Sequence, residues 1–386
     1  MVQSVLTSVL GEPERLAGVA AAAGVEIDAA APPTVEPFPC VLTNMTTEDL
    51  ARVRFGAGRG SVVVKVARSP RHSPMWSLIP VQFQQQVMLE IPWRAEADTY
   101  RSRLRTLLPP GIRMPTLYAV DDLPDDRVAM WMEDVEDSAP DWTHDDYARA
   151  AKSLGRMAGR LPEAAIPADL AIPQRDFRAY FYGRVSEGTL PALFDDATWS
   201  HPAVAGVADT GLRADLQELA SRAPALLERL DRLPRTLAHG DACPQNLLRP
   251  AGEPEIIVAI DWTFVGIGAV GMDAGQLLAG RAESGDLEPA ALPSLLGVIV
   301  DAYTAGLAAE GADIDAGDVR FGVAANLVVR SAFTALPLEA LDEPVTAAKE
   351  ELFRRRLGYA RFLADLGRNL GADGDLARLQ DVGDHA

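Results

Sequence analysis

The strongest constraint on this chain is a change of hydrophobic period along it. Before residue 134 the apolar residues come in short runs rich in β-branched and aromatic side chains: "FPCVLTN", "LARVRF", "SVVVKVA", "MPTLYAVD" and "DRVAMWMED". Such runs, bounded by turn formers, read as strands. The second and third are joined by "GAGRGS", whose glycines suit a tight hairpin turn. One long helix is expected among them, from Pro92 through "WRAEADTYRSRLRTLL" to a stop before Pro109 and Pro110. From Thr143 onward the period is helical. "THDDYARAAKSLGRMAGRL", capped by Thr143 and stopped by Pro162, is followed by "LRADLQELASRAPALLERLDRL", "PAALPSLLGVIVDAYTAGLAA", "DVRFGVAANLVVRSAFTAL" and a stretch from Thr346 to about Leu370. Two strand-like runs, "TLAHGD" and "EIIVAIDW", interrupt these helices. The expected fold class is α+β. An N-terminal helix and Pro-rich connector occupy 1–34, a small β-rich lobe 35–134, and a large, mostly helical lobe 135–386.

A chain of 386 residues with 48% hydrophobic content is long enough to bury a core in each lobe. Its net charge of -19 argues against nucleic acid as a partner, because phosphate backbones select basic faces. An acidic protein that grips a phosphorylated cofactor needs bound metal or a few well-placed cations. The acidic surface also suits a cationic substrate, although general solubility explains the same charge. Two distant cysteines, Cys40 and Cys243, make no disulfide framework. The start "MVQSVLTSVLGEPERLAG" meets Glu12, Glu14 and Arg15 too early for a signal peptide, and "LAGVAAAAGV" is too short to span a bilayer. A soluble, cytoplasmic protein with no membrane partner is expected.

The chemistry concentrates in "LAHGDACPQNLL", residues 237–248, and in the later "IIVAIDW". Asp241 and Asp261 each end a strand-like run, with the turn-rich "RPAGEPE" between them. A strand–turn–strand hairpin would bring both ends to one edge, together with Asn246. Two carboxylates and a carboxamide form an all-oxygen set of the kind Mg2+ takes, and phosphoryl transfer uses such ions to neutralise polyphosphate. One carboxylate can orient an acceptor hydroxyl and take its proton, while the other and the amide oxygen hold metal. Taken singly, a strand-ending Asp that caps a turn and an Asn in a loop are structural residues. The ordered set of three is much less expected by chance.

"HGDACPQN" followed by "IDW" resembles the catalytic loop and metal-binding Asp of the aminoglycoside phosphotransferase and choline kinase-like family, small-molecule relatives of the protein kinases. The kinase pattern H-R-D-x-x-x-x-N has the same Asp-to-Asn spacing, with Gly240 here in place of Arg. The resemblance implies a protein kinase-like two-lobed fold, Asp241 as catalytic base, and Asn246 and Asp261 as Mg2+ ligands. It implies ATP or GTP as phosphate donor and a structural His239. "VGIGAVGMDAGQLL" is similar to the family's glycine-bearing segment entering a helix, with Asp273 expected to pack or cap.

The resemblance also assigns Lys65, in "SVVVKVA", to the α- and β-phosphates. Its glutamate partner is sought in the following helix. Glu90 precedes Pro92 and falls outside that helix, whereas Glu96 shares a face with Tyr100, Leu104 and Leu107. A carboxylate on a buried stripe needs a partner, and Lys65 is the natural one. "GAGRGS" stands immediately before the Lys65 strand, one strand too late for the kinase phosphate loop. That place is held by "LTNMTTEDL", without glycine, where Thr43, Asn44, Thr46 and Thr47 can donate hydrogen bonds to phosphate. The connector "MWMEDVEDSAP" matches the family's base-pairing hinge, so the backbone of Glu133 and Val135 is expected to contact the nucleotide base. Cys243 is taken as a bystander thiol.

The expected activity is Mg2+-dependent transfer of a nucleotide γ-phosphate to a hydroxyl of a small molecule, an antibiotic that is aminoglycoside-like or another natural product. A primary metabolite (amino sugar, choline or homoserine) is the alternative acceptor. A non-catalytic nucleotide- or ligand-binding protein ranks lower, because it has no reason to keep Lys65, Asp241, Asn246 and Asp261, and a metal-dependent hydrolase ranks last, because it does not explain Lys65 and the hinge.

Overall fold

The computed structural model describes residues 10–27, 32–38, 45–56, 60–137, 141–175 and 177–370, apart from the side chains of 89, 90 and 184. The chain divides into two compact units. The first comprises Met1–Leu107, Arg113–Ser138 and Leu248–Phe264; the second comprises Leu108–Ile112, Ala139–Leu247 and Val265–Ala386. The segment carrying Asp261 therefore packs with the N-terminal half, although sequence order places it among the C-terminal helices.

The first unit is built on a five-stranded antiparallel sheet. Its strands are β1 (Thr34–Pro37), β2 (Thr47–Arg54), β3 (Ser61–Arg68), β4 (Leu117–Leu123) and β5 (Arg127–Glu133), in the spatial order β1-β2-β3-β5-β4. The glycine-bearing stretch 55–60 links β2 to β3, with the Phe55 amide donating to the Gly60 carbonyl at 3.1 Å. β1 lies four residues before the run expected to form it, within the Pro-rich connector, and residues 39–44 lie outside the described residues. On β3 the period-2 alternation sends Val62, Val64 and Val66 to one face, where they pack with Ala51, Val53, Phe55, Ala129 and Trp131. Val19 and Ala20 of helix α1 (Pro13–Ala22) close that core. Arg15 on α1 and the Trp131 indole both bond Asp121, so the N-terminal helix is tied to the sheet.

Lys65 falls on the opposite face of β3. The single long helix expected after Pro92 is instead two pieces, preceded by an unforeseen helix α2 (Val81–Glu90). Helix α3 (Ala95–Arg101) stops because Ser102 turns extended, with ψ 170°. The Ser102 hydroxyl donates to the Thr99 carbonyl at 2.7 Å and accepts from the Leu104 amide at 3.1 Å. Such local side-chain bonds offer the backbone an alternative to the helix.

The second unit is mostly helical. Helix α4 (His144–Arg160) opens with a reciprocal capping box between Thr143 and Asp146. Helix α5 (Leu212–Leu230) follows a run of short helical turns. Strand β6 (Arg235–Ala238) pairs antiparallel with β8 (Gly266–Ala269), and β7 (Ile257–Ala259) lies in a separate three-stranded sheet. The hairpin expected between the runs ending at Asp241 and Asp261 is thus corrected: their strands are not partners, and the two carboxylates belong to different units. Helices α6 (Met272–Glu283), α7 (Leu292–Ala309), α8 (Ala316–Ser331) and α9 (Ala347–Asn369) complete the unit. The segment Pro289–Ala309 has the length and hydropathy to cross a bilayer by composition alone. Here α7 packs against α4 through glycines: a Cβ on Gly155 would stand 2.1 Å from the Tyr303 carbonyl oxygen, and one on Gly306 2.2 Å from that of Lys152.

Candidate active site

In the first unit, Lys65 Nζ lies 2.6 Å from Glu96 Oε2 and 3.4 Å from Asp261 Oδ1. Lys65 comes from the face of β3 turned away from the valine core, and Glu96 from the buried face of α3, where Tyr100 sits one turn on. Burial alone would lower the Lys65 ammonium, but the charges of Glu96 and Asp261 outweigh it and hold it above its ordinary range. Burial pushes the Glu96 carboxyl up to about 7 against the pull of Lys65, with the Asp261 charge adding to the rise. Asp261 has φ 57°, a left-handed conformation that Asp tolerates better than most side chains. Thr263 Oγ1 donates to Asp261 Oδ1 at 2.6 Å, and the Trp262 indole is buried against the Ala259 carbonyl at 2.7 Å. These bonds fix the turn that presents the carboxylate.

In the second unit, β6 delivers His239, Gly240 and Asp241. The buried His239 ring accepts the Asp241 amide on Nδ1 at 3.3 Å. Gly240 adopts φ 84°, open to glycine and strained for other residues. Residues Pro244–Asn246 form a 3-10 turn that brings the chain back on itself. That return accounts for the five-residue spacing. Asn246 Nδ2 donates to the Asp241 backbone oxygen at 2.9 Å and to Asp241 Oδ2 at 3.0 Å. Gln276 Nε2 donates to the other oxygen, Oδ1, at 2.7 Å, and Arg330 Nη2 stands 3.5 Å from it. The carboxylate is therefore held at both oxygens. Burial, with Asp241 close by, pushes the Cys243 thiol up to about 12, so it stays protonated in neutral solution.

Asp273 holds the loop from beneath. Gly271, at φ 88°, turns the chain into α6, and a Cβ there would stand 2.4 Å from the Val323 amide nitrogen. Asp273 in the first helical turn then accepts the His239 amide at 2.7 Å and the Gly240 amide at 2.9 Å. Burial raises its carboxyl, against the opposing pull of His239 and these amides. Asp273→Ala strands two buried N–H groups, each costing about 1–3 kcal/mol. Urea unfolding of the variant should show a loss of that size, with turnover falling as the loop slackens.

The connector residues are placed less tellingly. Glu133 ends β5, and its carboxylate binds Arg113 at 2.7 and 2.8 Å and the Thr116 amide at 2.9 Å. Burial would raise this carboxyl, but the Arg113 and Thr116 hydrogen bonds bring it below the ordinary range. Val135 is half-buried just beyond. Thr43 and Asn44 lie outside the described residues. For metal, no group of three His, Cys, Asp or Glu among the described residues could hold an ion alone. Mg2+ does not need one, since it is usually held by one or two carboxylates, water and substrate phosphates. Asp261, with 31% of its side chain exposed, and the amide oxygen of Asn246 are donors of the right kind.

A model of the phosphotransferase enzyme family matches residues 48–312. The chain belongs to that family. Among solved structures, an aminoglycoside phosphotransferase from Alicyclobacillus acidocaldarius superposes with a TM-score of 0.54 at 14% identity, over 94% of this chain and 96% of that one. A choline/ethanolamine kinase family protein from Mesorhizobium loti gives a TM-score of 0.48 at 15% identity, over 91% and 92%. A search of curated protein sequences finds no match. The fold of this phosphotransferase is protein kinase-like α+β.

Two side chains on the phosphotransferase's Asp241 escaped the sequence reading. Gln276 follows Asp273 by three positions, so both point from one face of α6 to one loop. That spacing was available in the sequence. Arg330 had no local signal, because it arrives from α8.

Proposed function

We propose that this phosphotransferase moves the γ-phosphoryl group of ATP or GTP to a hydroxyl of a small molecule, an antibiotic or related natural product, in the cytoplasm. The observation that carries it is the buried Lys65–Glu96 pair beside Asp261. Glu96 and Asp261 keep the buried Lys65 ammonium charged and fixed in place, and a fixed ammonium of this kind is what binds the phosphates of a nucleotide.

Lys65 binds the phosphates and is kept extended by Glu96. Asp241 accepts the acceptor's proton, with Asn246 and Gln276 setting which lone pairs remain open. Fixing that carboxylate before the acceptor arrives lowers the cost of orientation. Asp261 and Asn246 are the Mg2+ donors, and Mg2+, when bound, neutralises charge on the polyphosphate. The backbone of Glu133 and Val135 meets the base, and Thr43 and Asn44 lie at the phosphate loop.

The direct test is nucleotide-diphosphate release with Mg2+, using ATP and GTP separately against aminoglycosides, other antibiotics, amino sugars, choline and homoserine. Acceptor-dependent release is the expected result. Release with choline, homoserine or an amino sugar alone would replace the antibiotic assignment. No release and no nucleotide binding would favour a non-catalytic protein. Asp261→Ala should weaken binding of the Mg2+-nucleotide complex by roughly tenfold or more in a calorimetric titration, since a ligand to the ion's charge is gone. An unchanged affinity would remove Asp261 from the metal.

A further inference from the structure

We infer that Arg249 and Arg113 are positioning residues that tie the strand delivering Asp261 to the connector meeting the nucleotide base, and so fix the span between ion and base. This rests on the phosphotransferase reading, with Asp261 as a metal donor and the connector at the base. Both arginines, the connector and residues 248–264 belong to the first unit. Arg249 is 3% exposed. Its backbone amide donates to Asp137 Oδ1 at 2.8 Å, its Nε to the same oxygen at 3.2 Å, and its Nη2 to Asp137 Oδ2 at 2.9 Å. Alongside, the backbones of Asp137 and Pro250 form an antiparallel bridge.

Arg113 makes a second tie. Its Nη1 and Nη2 grip the Glu133 carboxylate, and Nη2 also donates to Glu253 Oε1 at 2.8 Å. Glu253 sits in the turn from Pro250 to Ile256, closed by its own amide on the Pro250 carbonyl at 3.0 Å and by the Ile256 amide on its carbonyl at 2.9 Å. β7 follows directly, and Ile257, Val258 and Ala259 are fully buried, so the position of the turn passes without slack to Asp261. The connector is itself anchored to the sheet, because Arg52 of β2 binds both oxygens of Asp134 at 2.5 and 2.9 Å. Glu133, Asp134 and Asp137 thus each hold a guanidinium from a different part of the unit.

A planar guanidinium on two carboxylate oxygens fixes angle as well as distance, which a single ammonium contact does not. The span matters because a nucleotide joins its base and its phosphates by one covalent frame. Mg2+ on those phosphates takes its ligands at about 2.0–2.1 Å in near-octahedral geometry, so it does not follow a carboxylate that drifts. Exposed pairs such as Arg354 with Glu351 join neighbours on one helix and constrain nothing distant. Arg249 with Asp137 and Arg113 with Glu253 join residues 112 and 140 positions apart in the chain.

The experiment titrates the full chain with a non-hydrolysable ATP or GTP analogue, once in Mg2+ and once in EDTA. Wild type should bind roughly tenfold or more tightly with Mg2+. Arg249→Met should lose most of that gain and fall to the level of Asp261→Ala, while its affinity in EDTA stays within about twofold of wild type. Arg113→Gln should do the same. Asp137 has 31% of its side chain exposed, so Asp137→Asn carries the test if Arg249→Met melts early, with the same selective loss expected. A full Mg2+ gain in these variants overturns the inference. So does a parallel fall in both conditions, which a merely structural pair would give. A wild type with no nucleotide affinity, or none that Mg2+ improves, sinks the phosphotransferase reading and the inference with it. A wild type with the full gain, beside variants that keep it, sinks the inference alone.

Discussion

Asp241→Asn should lower phosphoryl transfer by roughly 10²–10⁴-fold, the range that general-base catalysis supplies. The substitution keeps the shape of the side chain and removes its basicity. Gln276 and Asn246 both donate to the Asp241 carboxylate, so an amide there satisfies one and turns its NH2 toward the other. A small stability loss, about 1 kcal/mol, accompanies the change. The nucleotide is assigned to Lys65 and Asp261, so its affinity should not move. The expected kinetic signature is a fall in kcat with little change in nucleotide KM, read by stopped assays alongside calorimetric titration. Turnover near the wild-type rate would remove Asp241 from the base role.

Lys65→Met should destabilise the first unit by about 3–5 kcal/mol, because it leaves the carboxylate of Glu96 buried without its cation. Glu96 is 2% exposed, and its carboxyl is raised to about 7 even with Lys65 present. Losing the ammonium raises it further. The sign follows from proton counts. Above its unfolded value, and up to its raised folded value, Glu96 binds more protons in the folded state than in the unfolded one. Stability is therefore greatest below the unfolded value near 4.5 and is lost as pH rises through about 7. The variant's deficit should be smaller at about pH 5 than at about pH 8, a difference that thermal melts at the two pH values will show. Lys65→Met combined with Glu96→Gln should recover much of the stability, since no buried charge remains, but should not recover nucleotide binding. Recovery of both would make the pair purely structural.

The parts of this site that could be read in the sequence are those whose geometry is local. The five-residue step from Asp241 to Asn246 is one loop with one turn, and period 2 along β3 puts Lys65 opposite its valines. Glu96 was found because it shares a helical face with Tyr100, and the two are neighbours on α3. The length of that helix was misjudged, because Ser102 competes for backbone hydrogen bonds in a way periodicity does not register. Strand β1 in the connector was not legible, because a short edge strand of exposed residues carries no burial pattern.

The sequence by itself determined the α+β class and which stretches are strand-rich and which helical. Hydrophobic period and the spacing of residues within a loop are local properties of the chain, and they survive without knowledge of what packs against what. Only the tertiary structure decided that α1 closes the sheet's core, that residues 248–264 pack with the N-terminal half, and that Gln276 and Arg330 reach Asp241. Those outcomes depend on pairings between elements far apart in the chain. They are set by which buried surfaces fit and which buried polar groups find partners, and no window of sequence contains both sides of such a contact.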